Sequence, residues 1–300
     1  MKLLTVRHAT VYCYSAPVSF GQHRLMLRPR DSHDLRLVGA ELALSPPGTV
    51  RWLHDVFSNS VALVDFEAPA DELSIVSTLT LERYALAKLD FPIAPEAERY
   101  PFMYSADDRS DLGRLSERHY PDPQGIVEAW ARQFILETPV DSFNLLASMN
   151  AAIRSAFEYR AREEEGTQTP LETLERKSGT CRDYALLFIE AARALGFGAR
   201  FVTGYLYDPA LDGGAAAQGA VEGGVEGAGA THAWAEIYLP GAGWVEFDPT
   251  NALVAGENLI RVAVTRDPSQ AVPISGTFAG AEGVEALNLE VNVTVHAQAQ

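Results

Sequence analysis

Three residues in the second half of the chain have the types and the order that nucleophilic catalysis requires. Cys181 follows Gly179 and Thr180, His232 opens the run HAWAEIYLP, and Asp248 ends the run WVEFD. A thiolate nucleophile needs a base, and the base needs a partner that fixes its tautomer. The pattern favours a thiol active site in which Cys181 is the nucleophile, His232 is the base and Asp248 orients the histidine.

The residues after Cys181 predict a helix. The run RDYALLFIEAARAL is apolar at helical spacing and is followed by Gly196, so we expect a helix from about Cys181 to Leu195. The unpaired amides and the positive dipole end at a helix start favour a thiolate, and the same N–H groups can receive an oxyanion. The alternative is an inert buried thiol, because cysteine is among the most buried residue types.

The histidine and the aspartate lie on two segments that predict an antiparallel hairpin. HAWAEIYLP and GWVEFDPT read as strands joined by a tight turn around Gly241 to Gly243. With the turn centred near Pro240, His232 and Asp248 fall at opposed positions, so a hydrogen bond between them is expected. A histidine with a purely structural role is the alternative, and its place opposite an aspartate makes that reading less favourable.

These segments together resemble a known family. GTCRDYALLFIEAARALGFGARFVTGYLY resembles the nucleophile helix and following strand of the transglutaminase-like superfamily, and HAWAEIYLPGAGWVEFDPT is similar to its histidine and aspartate strands. Cys181, His232 and Asp248 match the three catalytic positions. The β-rich N-terminal part, including HRLMLRPRD, resembles the β domain that accompanies bacterial members. The resemblance implies a papain-like core, in which a helix presents the cysteine to an antiparallel sheet, and acyl transfer through a thioester.

The predicted fold class is α+β, with a papain-like or transglutaminase-like core preceded by an antiparallel β-sandwich-like domain. Short runs rich in Val, Leu, Thr and aromatic residues, separated by turn formers, predict the β domain. The expected organisation is an N-terminal β domain at 1–90, a Pro-rich linker at 91–125, the catalytic core at 126–255 and C-terminal strands at 256–300. Those last strands are expected to pack on the core or on the N-terminal domain.

The stretch from Asp208 to Ala230 is rich in glycine and alanine and has almost nothing bulky to bury. Burial there cannot offset the ~1–2 kcal/mol per residue that fixing a backbone costs. We expect a long flexible loop that gates access to the active site, because it leads directly to His232.

The expected activity is cysteine-dependent acyl transfer at amide bonds, with hydrolysis by a peptidase or amidase as the leading reading. One alternative is a protein-glutamine transglutaminase that uses an amine acceptor. Another is a non-catalytic peptide-binding module that retains the fold, although the presence of all three residues speaks against it. The expected partner is a peptide or protein amide, and neither a cofactor nor a metal is expected, since no CxxC, HxxxH or HExxH spacing occurs.

The composition of the chain indicates which classes of partner and which cellular location to expect. Forty acidic against 24 basic side chains give a formal charge of -16, a field that repels nucleic acid and anionic membrane surfaces. Arg7 and His8 interrupt the apolar start before a signal-peptide core could form. The two cysteines, Cys13 and Cys181, read as free thiols of a reducing compartment. A cytoplasmic location is therefore expected.

Overall fold

The computed structural model describes residues 1–84, 92–160, 166–209, 230–256 and 258–298. The proposed gating loop at 208–230 falls almost wholly on residues 210–229, which lie outside the described residues. No helix in the described ranges is long and apolar enough to cross a membrane.

The N-terminal part is built from six strands. They are β1 (Lys2–Phe20), β2 (His23–Arg28), β3 (Leu35–Ser45), β4 (Gly48–His54), β5 (Ser60–Phe66) and β6 (Ala70–Arg83). Burial alternates along β6, where every second residue from Leu73 to Leu81 is buried. This period of two is the pattern of a strand that covers a core with one face.

The middle of the chain carries the helices and several two-residue strands. In order these are β7 (Arg99–Tyr100), α1 (Ala106–Leu112), α2 (Ile126–Arg132), β8 (Val140–Asp141), α3 (Ser142–Ala156), β9 (Glu158–Tyr159), α4 (Pro170–Arg176), β10 (Ser178–Gly179) and α5 (Cys181–Ala194). The predicted helix at the cysteine is therefore present with nearly the predicted bounds. Helix α4 was not predicted.

The remaining strands divide between two parts of the molecule. They are β11 (Ala199–Leu206), β12 (Thr231–Leu239), β13 (Gly243–Asp248), β14 (Leu253–Val254), β15 (Leu259–Thr265), β16 (Ile274–Ser275), β17 (Phe278–Ala279) and β18 (Ala286–Ala297). The first five form the core sheet in the order β14-β13-β12-β11-β15. Strands β17 and β18 pair with β1, and β16 pairs with β2.

The N-terminal strands form a sandwich of two sheets. One has β1 between β6 and the C-terminal strands, with β3 beyond β6, and the other has the order β16-β2-β5-β4. Between the sheets lies a cluster of buried apolar side chains that includes Tyr14, Leu25, Val64, Leu73 and Ile75. Helices and antiparallel sheets thus combine in an α+β fold, with the sheet domain ahead of the core, as predicted.

The sandwich packs directly on the core sheet. A second cluster joins the early residues of β1 and the late residues of β6 to β11, β15 and β18, through side chains such as Leu4, Leu79, Tyr205, Ile260 and Val293. The 19-residue strand β1 therefore contributes one half to the sandwich interior and the other half to this interface. Sandwich and core sheet are continuous in their packing.

Helix α5 is the centre of the other layer. From Asp183 to Arg193 every residue is buried, so this helix is covered on all sides, which is typical of a central core helix. Alternate residues of β12, Ala233, Ala235 and Ile237, belong to the same apolar cluster as α5. The side chains of His232, Trp234 and Glu236 consequently project from the opposite face of the sheet.

The segment predicted as a Pro-rich linker contains β7 and α1 and is anchored to the core. Tyr104 donates its hydroxyl to the Tyr238 carbonyl at 2.8 Å and accepts from the Gly198 amide at 2.9 Å. The amides of His119 and Tyr120 donate to the buried Glu190 carboxylate of α5. The predicted domain boundaries stay a prediction, but β15 of the segment 256–300 belongs to the core sheet, and β16 to β18 belong to the sandwich.

Candidate active site

The start of α5 is fixed by a carboxylate one turn into the helix. Asp183 is fully buried and accepts hydrogen bonds from the Thr180 amide at 2.8 Å and the Thr180 hydroxyl at 3.0 Å. Its other oxygen accepts from the Gln168 amide at 2.7 Å. A Cβ at Gly179 would lie 2.9 Å from the Asp183 side chain, so glycine makes room for this arrangement. Cys181 is consequently held as the first helical residue.

The connection between α5 and the core sheet brings the three predicted residues to one end of the molecule. Helix α5 leads through four residues into β11, whose first residue, Ala199, pairs with Ile237 near the hairpin turn. The end of α5 therefore lies near that turn. Because the 14-residue helix and the eight-residue strand have similar lengths, the start of α5 lies at the opposite end of the sheet. His232 is the second residue of β12 and Asp248 is the last residue of β13, so both lie at that same end.

His232 and Asp248 form a buried hydrogen-bonded pair. Nε2 of His232 lies 2.8 Å from Oδ2 of Asp248, and the two residues are 1% and 0% exposed. The predicted register was wrong by two residues: Ala235 pairs with Phe247, so the next pair along places Trp234 opposite Asp248. A shift of two residues keeps a side chain on the same face of a strand, so the histidine reaches the aspartate diagonally.

Further donors hold the Asp248 carboxylate in place. Its Oδ1 accepts from the Thr250 amide at 2.9 Å, and its Oδ2 also accepts from Nδ2 of Asn251 at 2.8 Å. Burial would raise the pKa of Asp248, but the charge and hydrogen bond of His232, with those two donors, lower it below its usual value. The carboxylate is therefore ionised at neutral pH and can only accept, so Nε2 of His232 is the donor.

The other ring nitrogen of His232, Nδ1, is available to the Cys181 thiol. Nδ1 has no hydrogen-bond partner of ordinary geometry in the described part of the chain. Burial would lower the pKa of His232, yet Asp248 and the nearby Cys181 raise it to about 10. The imidazole is therefore an imidazolium at neutral pH, next to a thiol that is itself only 6% exposed. A histidine of raised pKa beside a buried thiol is the kind of environment in which cysteine nucleophiles are found.

Trp234 supports the histidine from the same strand face. Its ring stacks on the His232 ring with centroids 6.1 Å apart, and its indole N–H donates to Oε1 of Glu246 at 3.3 Å. Trp234 itself is fully buried. A Cβ at Gly204, on the neighbouring strand, would lie 2.9 Å from this indole and 2.0 Å from the Ile260 carbonyl oxygen. Glycine at this position lets the strands pack against the tryptophan.

The structure thus brings together all three predicted site residues, and it adds supporting residues that sequence reasoning missed. Asn251 follows the aspartate by three residues and was not singled out, although an amide next to a carboxylate is a common donor. Gln168 lies in a polar loop with no local pattern, and only the fold carries it to Asp183. Among the described residues no group of three or more His, Cys, Asp or Glu side chains is placed to hold a metal ion.

Comparisons with known proteins agree with this architecture. Residues 128–249 match the transglutaminase-like superfamily, and residues 4–82 match the bacterial transglutaminase-like N-terminal region. The fold is similar to that of a Cytophaga hutchinsonii protein provisionally described as a cysteine protease, with a TM-score of 0.65 and 18% identity over 98% of this chain and 91% of that one.

Two mycobacterial proteins are similar over nearly their whole length. An uncharacterized protein of Mycobacterium leprae is 26% identical over 294 residues, which is 97% of this chain and 98% of that protein. An uncharacterized protein of Mycobacterium tuberculosis is 26% identical over 279 residues, 90% of this chain and 86% of that protein.

The fold and the buried Cys-His-Asp cluster define the class of cysteine-dependent enzymes with a helix-presented thiol. Within that class the chain belongs to the transglutaminase-like superfamily, with the N-terminal region of its bacterial members.

Proposed function

We propose that this protein transfers acyl groups from amide bonds through a thioester on Cys181, and that water is the usual acceptor, so that the reaction is hydrolysis of a peptide or protein amide. The observation that carries the proposal is the His232 to Asp248 contact of 2.8 Å beside a thiol at a helix start. Base, orienting carboxylate and nucleophile are the parts that thiol catalysis needs.

The proposed steps follow from the positions of the donors. The Cys181 thiolate attacks the amide carbonyl, and the Cys181 backbone N–H at the start of α5 donates to the developing oxyanion. The His232 imidazolium gives its proton to the leaving amine as the carbon–nitrogen bond breaks, which leaves the acyl group on sulfur. His232, now neutral, then takes a proton from water as the water attacks the thioester, and the acid product and the thiolate are released.

The fate of the thioester separates the two enzymatic readings. A water acceptor makes the protein a peptidase or amidase, and an amine acceptor makes it a transglutaminase. We place hydrolysis first because the chain has none of the calcium-loop signatures associated with protein cross-linking. The similar Cytophaga hutchinsonii fold, provisionally described as a cysteine protease, supports the same order. The proposed chemistry requires no cofactor.

A peptide and amide substrate screen with acid quenching tests the proposal. Intact-protein mass spectrometry should find a base-labile acyl adduct on Cys181 in the wild type and none in Cys181→Ala. An added primary amine should leave the product a free acid if hydrolysis dominates, and should be incorporated if transfer does. Folded wild type that turns over no amide and gives no adduct across the screen would support the non-catalytic binding module instead.

We also propose a cytoplasmic location and no nucleic-acid or membrane partner. The two free cysteines fit a reducing compartment, and the charge of -16 opposes binding to polyanions. Cell fractionation with an antibody to the chain tests the location, and recovery of the protein from an oxidising compartment would contradict it.

A further inference from the structure

A cleft of about 200 Å³ lies where the N-terminal sandwich meets the outer face of the core sheet. Arg30 and Asp31, after β2, form one wall, and Asn59 comes from the segment between β4 and β5. Arg200 on β11 and Arg261 on β15 form the floor. Three guanidinium groups from three separate segments therefore line one cleft in a chain whose formal charge is -16.

Two of the three arginines are held from beneath by one buried carboxylate. Nη1 of Arg261 donates to Oε1 of Glu236 at 2.6 Å, and Nε of Arg200 donates to the other oxygen of Glu236. Burial lowers the pKa of Arg200, the Glu236 and Glu246 carboxylates oppose this shift, and the positive charge of Arg261 acts in the same direction as burial. The two cations are thus close enough to repel each other, and an anion in the cleft would relieve that repulsion.

Both guanidinium groups keep donors for a ligand. An arginine has five N–H donors, and the hydrogen bonds to Glu236 use one nitrogen of each side chain. The side chains of Arg200 and Arg261 are still 18% and 35% exposed. Arg200 also lies over the Trp244 ring, 4.1 Å from its centroid, which fixes the plane of its guanidinium group.

Arg30 is the third cation, and its charge is not neutralised. Its side chain has no hydrogen bond or ion pair with the residues that the structure describes. The neighbouring Asp31 is engaged elsewhere, since its carboxylate accepts from the Leu37 amide at 2.6 Å. Arg200 and Arg261 share the Glu236 carboxylate, and Arg261 also lies 3.9 Å from Oε1 of Glu246, so Arg30 is the cation of this cleft that has no carboxylate partner among the described residues.

The walls of the cleft are tied together in advance of any ligand. Asn59 is 3% exposed; its side-chain amide donates to the Val264 carbonyl at 2.7 Å, and its Oδ1 accepts from the Val264 amide at 2.9 Å. This pair of bonds fixes the β4–β5 connection to β15. A preformed cleft avoids much of the ordering cost of binding.

We propose that this cleft binds the phosphate group of a small phosphorylated molecule. A tetrahedral dianion accepts hydrogen bonds from several directions at once, which suits three guanidinium groups on three segments, whereas a planar carboxylate is matched by one guanidinium fork. The volume of about 200 Å³ leaves room for a small organic substituent on the phosphate.

The phosphate site is separate from the Cys181 site. Arg200 pairs with Glu236, which is four residues along β12 from His232, or roughly 13 Å at 3.3 Å per residue. Helix α5 packs against the other face of the sheet. Occupancy of the cleft therefore does not require the thiol.

Isothermal titration with inorganic phosphate and with glycerol phosphate, at constant ionic strength set with chloride, tests the proposal. Saturable binding is expected in the wild type and unchanged in Cys181→Ala. Arg30→Ala should weaken binding tenfold or more, because it removes a charge-assisted donor from an exposed loop position. The matched control is Arg28→Ala, since Arg28 lies over the Trp52 ring and outside this cleft.

Heat signals that do not saturate beyond the chloride blank would overturn the proposal. So would equal affinity in Arg30→Ala and the wild type. Arg30→Glu provides a second variant, which should abolish phosphate binding while its thermal unfolding in chloride stays close to that of the wild type. Retained phosphate binding by that folded variant would place the ligand elsewhere.

Discussion

His232 determines the chemistry at the scale of single residues, because its two ring nitrogens face different partners. Nε2 donates to Asp248, whereas Nδ1 has no hydrogen-bond partner of ordinary geometry among the described residues, and the ring lies close enough to Cys181 for the thiol to raise its pKa. The residue types and their order were enough to identify this cluster in the sequence. The diagonal approach of His232 to Asp248 could not be predicted. The hairpin turn is centred one residue later than expected, which moves every cross-strand pair by two positions, and local composition does not fix that centre.

Asp248→Asn tests the role of the carboxylate through pH dependence. In the wild type burial would lower the pKa of His232, but Asp248, together with Cys181, raises it to about 10, so the imidazolium persists through neutral pH and activity falls only as pH rises toward that value. The amide removes the charge that raises this pKa, so the alkaline limb should move to lower pH. Turnover should fall about a thousandfold, because the amide also favours the wrong tautomer.

The measurement is a pH–rate profile of wild type and variant, with thermal unfolding of both as the control. A modest drop in the melting temperature is expected, since Thr250 and Asn251 also donate to this side chain. An unmoved alkaline limb with normal turnover would mean that Asp248 has only a structural role.

At the scale of elements, close packing around Trp234 constrains the neighbouring strands. Gly204→Ala should lower the free energy of unfolding by about 2 kcal/mol or more, because the new Cβ would lie 2.0 Å from the Ile260 carbonyl oxygen and the backbone would have to move. Gly39→Ala in β3 is the matched control, since the nearest atom to its Cβ would be 3.8 Å away. Denaturant unfolding of both variants measures the difference, and similar stabilities would contradict the packing argument.

Elements with a strong local signal were predictable, and those with a weak one were not. Helix α5 and strands β11 to β13 follow from apolar periodicity and from the glycines that end or turn the chain. Helix α4 has only seven residues, and its apolar pattern is short. The sequence nevertheless contains a helix-start motif for α4, because Thr169 and Glu172 form a capping box and Pro170 is the first helical residue.

At the scale of the whole molecule, the C-terminal strand joins the sandwich to the core. Local pattern predicted β18 as a half-buried strand, but its pairing with β1 spans nearly the entire chain and no local signal specifies such a partner. Val293 of β18 belongs to the apolar cluster between the sandwich and the core sheet and is 2% exposed. Val291, on the same face of the same strand, is 45% exposed.

Val293→Asp should therefore destabilise the whole protein by about 3 kcal/mol or more, because it buries a charge without a partner. Val291→Asp should be nearly neutral. Chemical unfolding followed by both tryptophan fluorescence and circular dichroism makes the comparison. Coincident shifts are expected for Val293→Asp; a loss confined to one of the two signals would mean that sandwich and core unfold independently.

The central claim is that Cys181 is an activated nucleophile, and competitive alkylation of the two cysteines tests it most directly. Burial alone would make Cys13, which is half-buried, react before the buried Cys181. With iodoacetamide at pH 5.5 and peptide-resolved mass spectrometry, we predict that Cys181 reacts at least tenfold faster, and that His232→Ala removes this advantage. Faster labelling of Cys13 in the folded wild type, or a Cys181 rate unaffected by His232→Ala, would contradict the account.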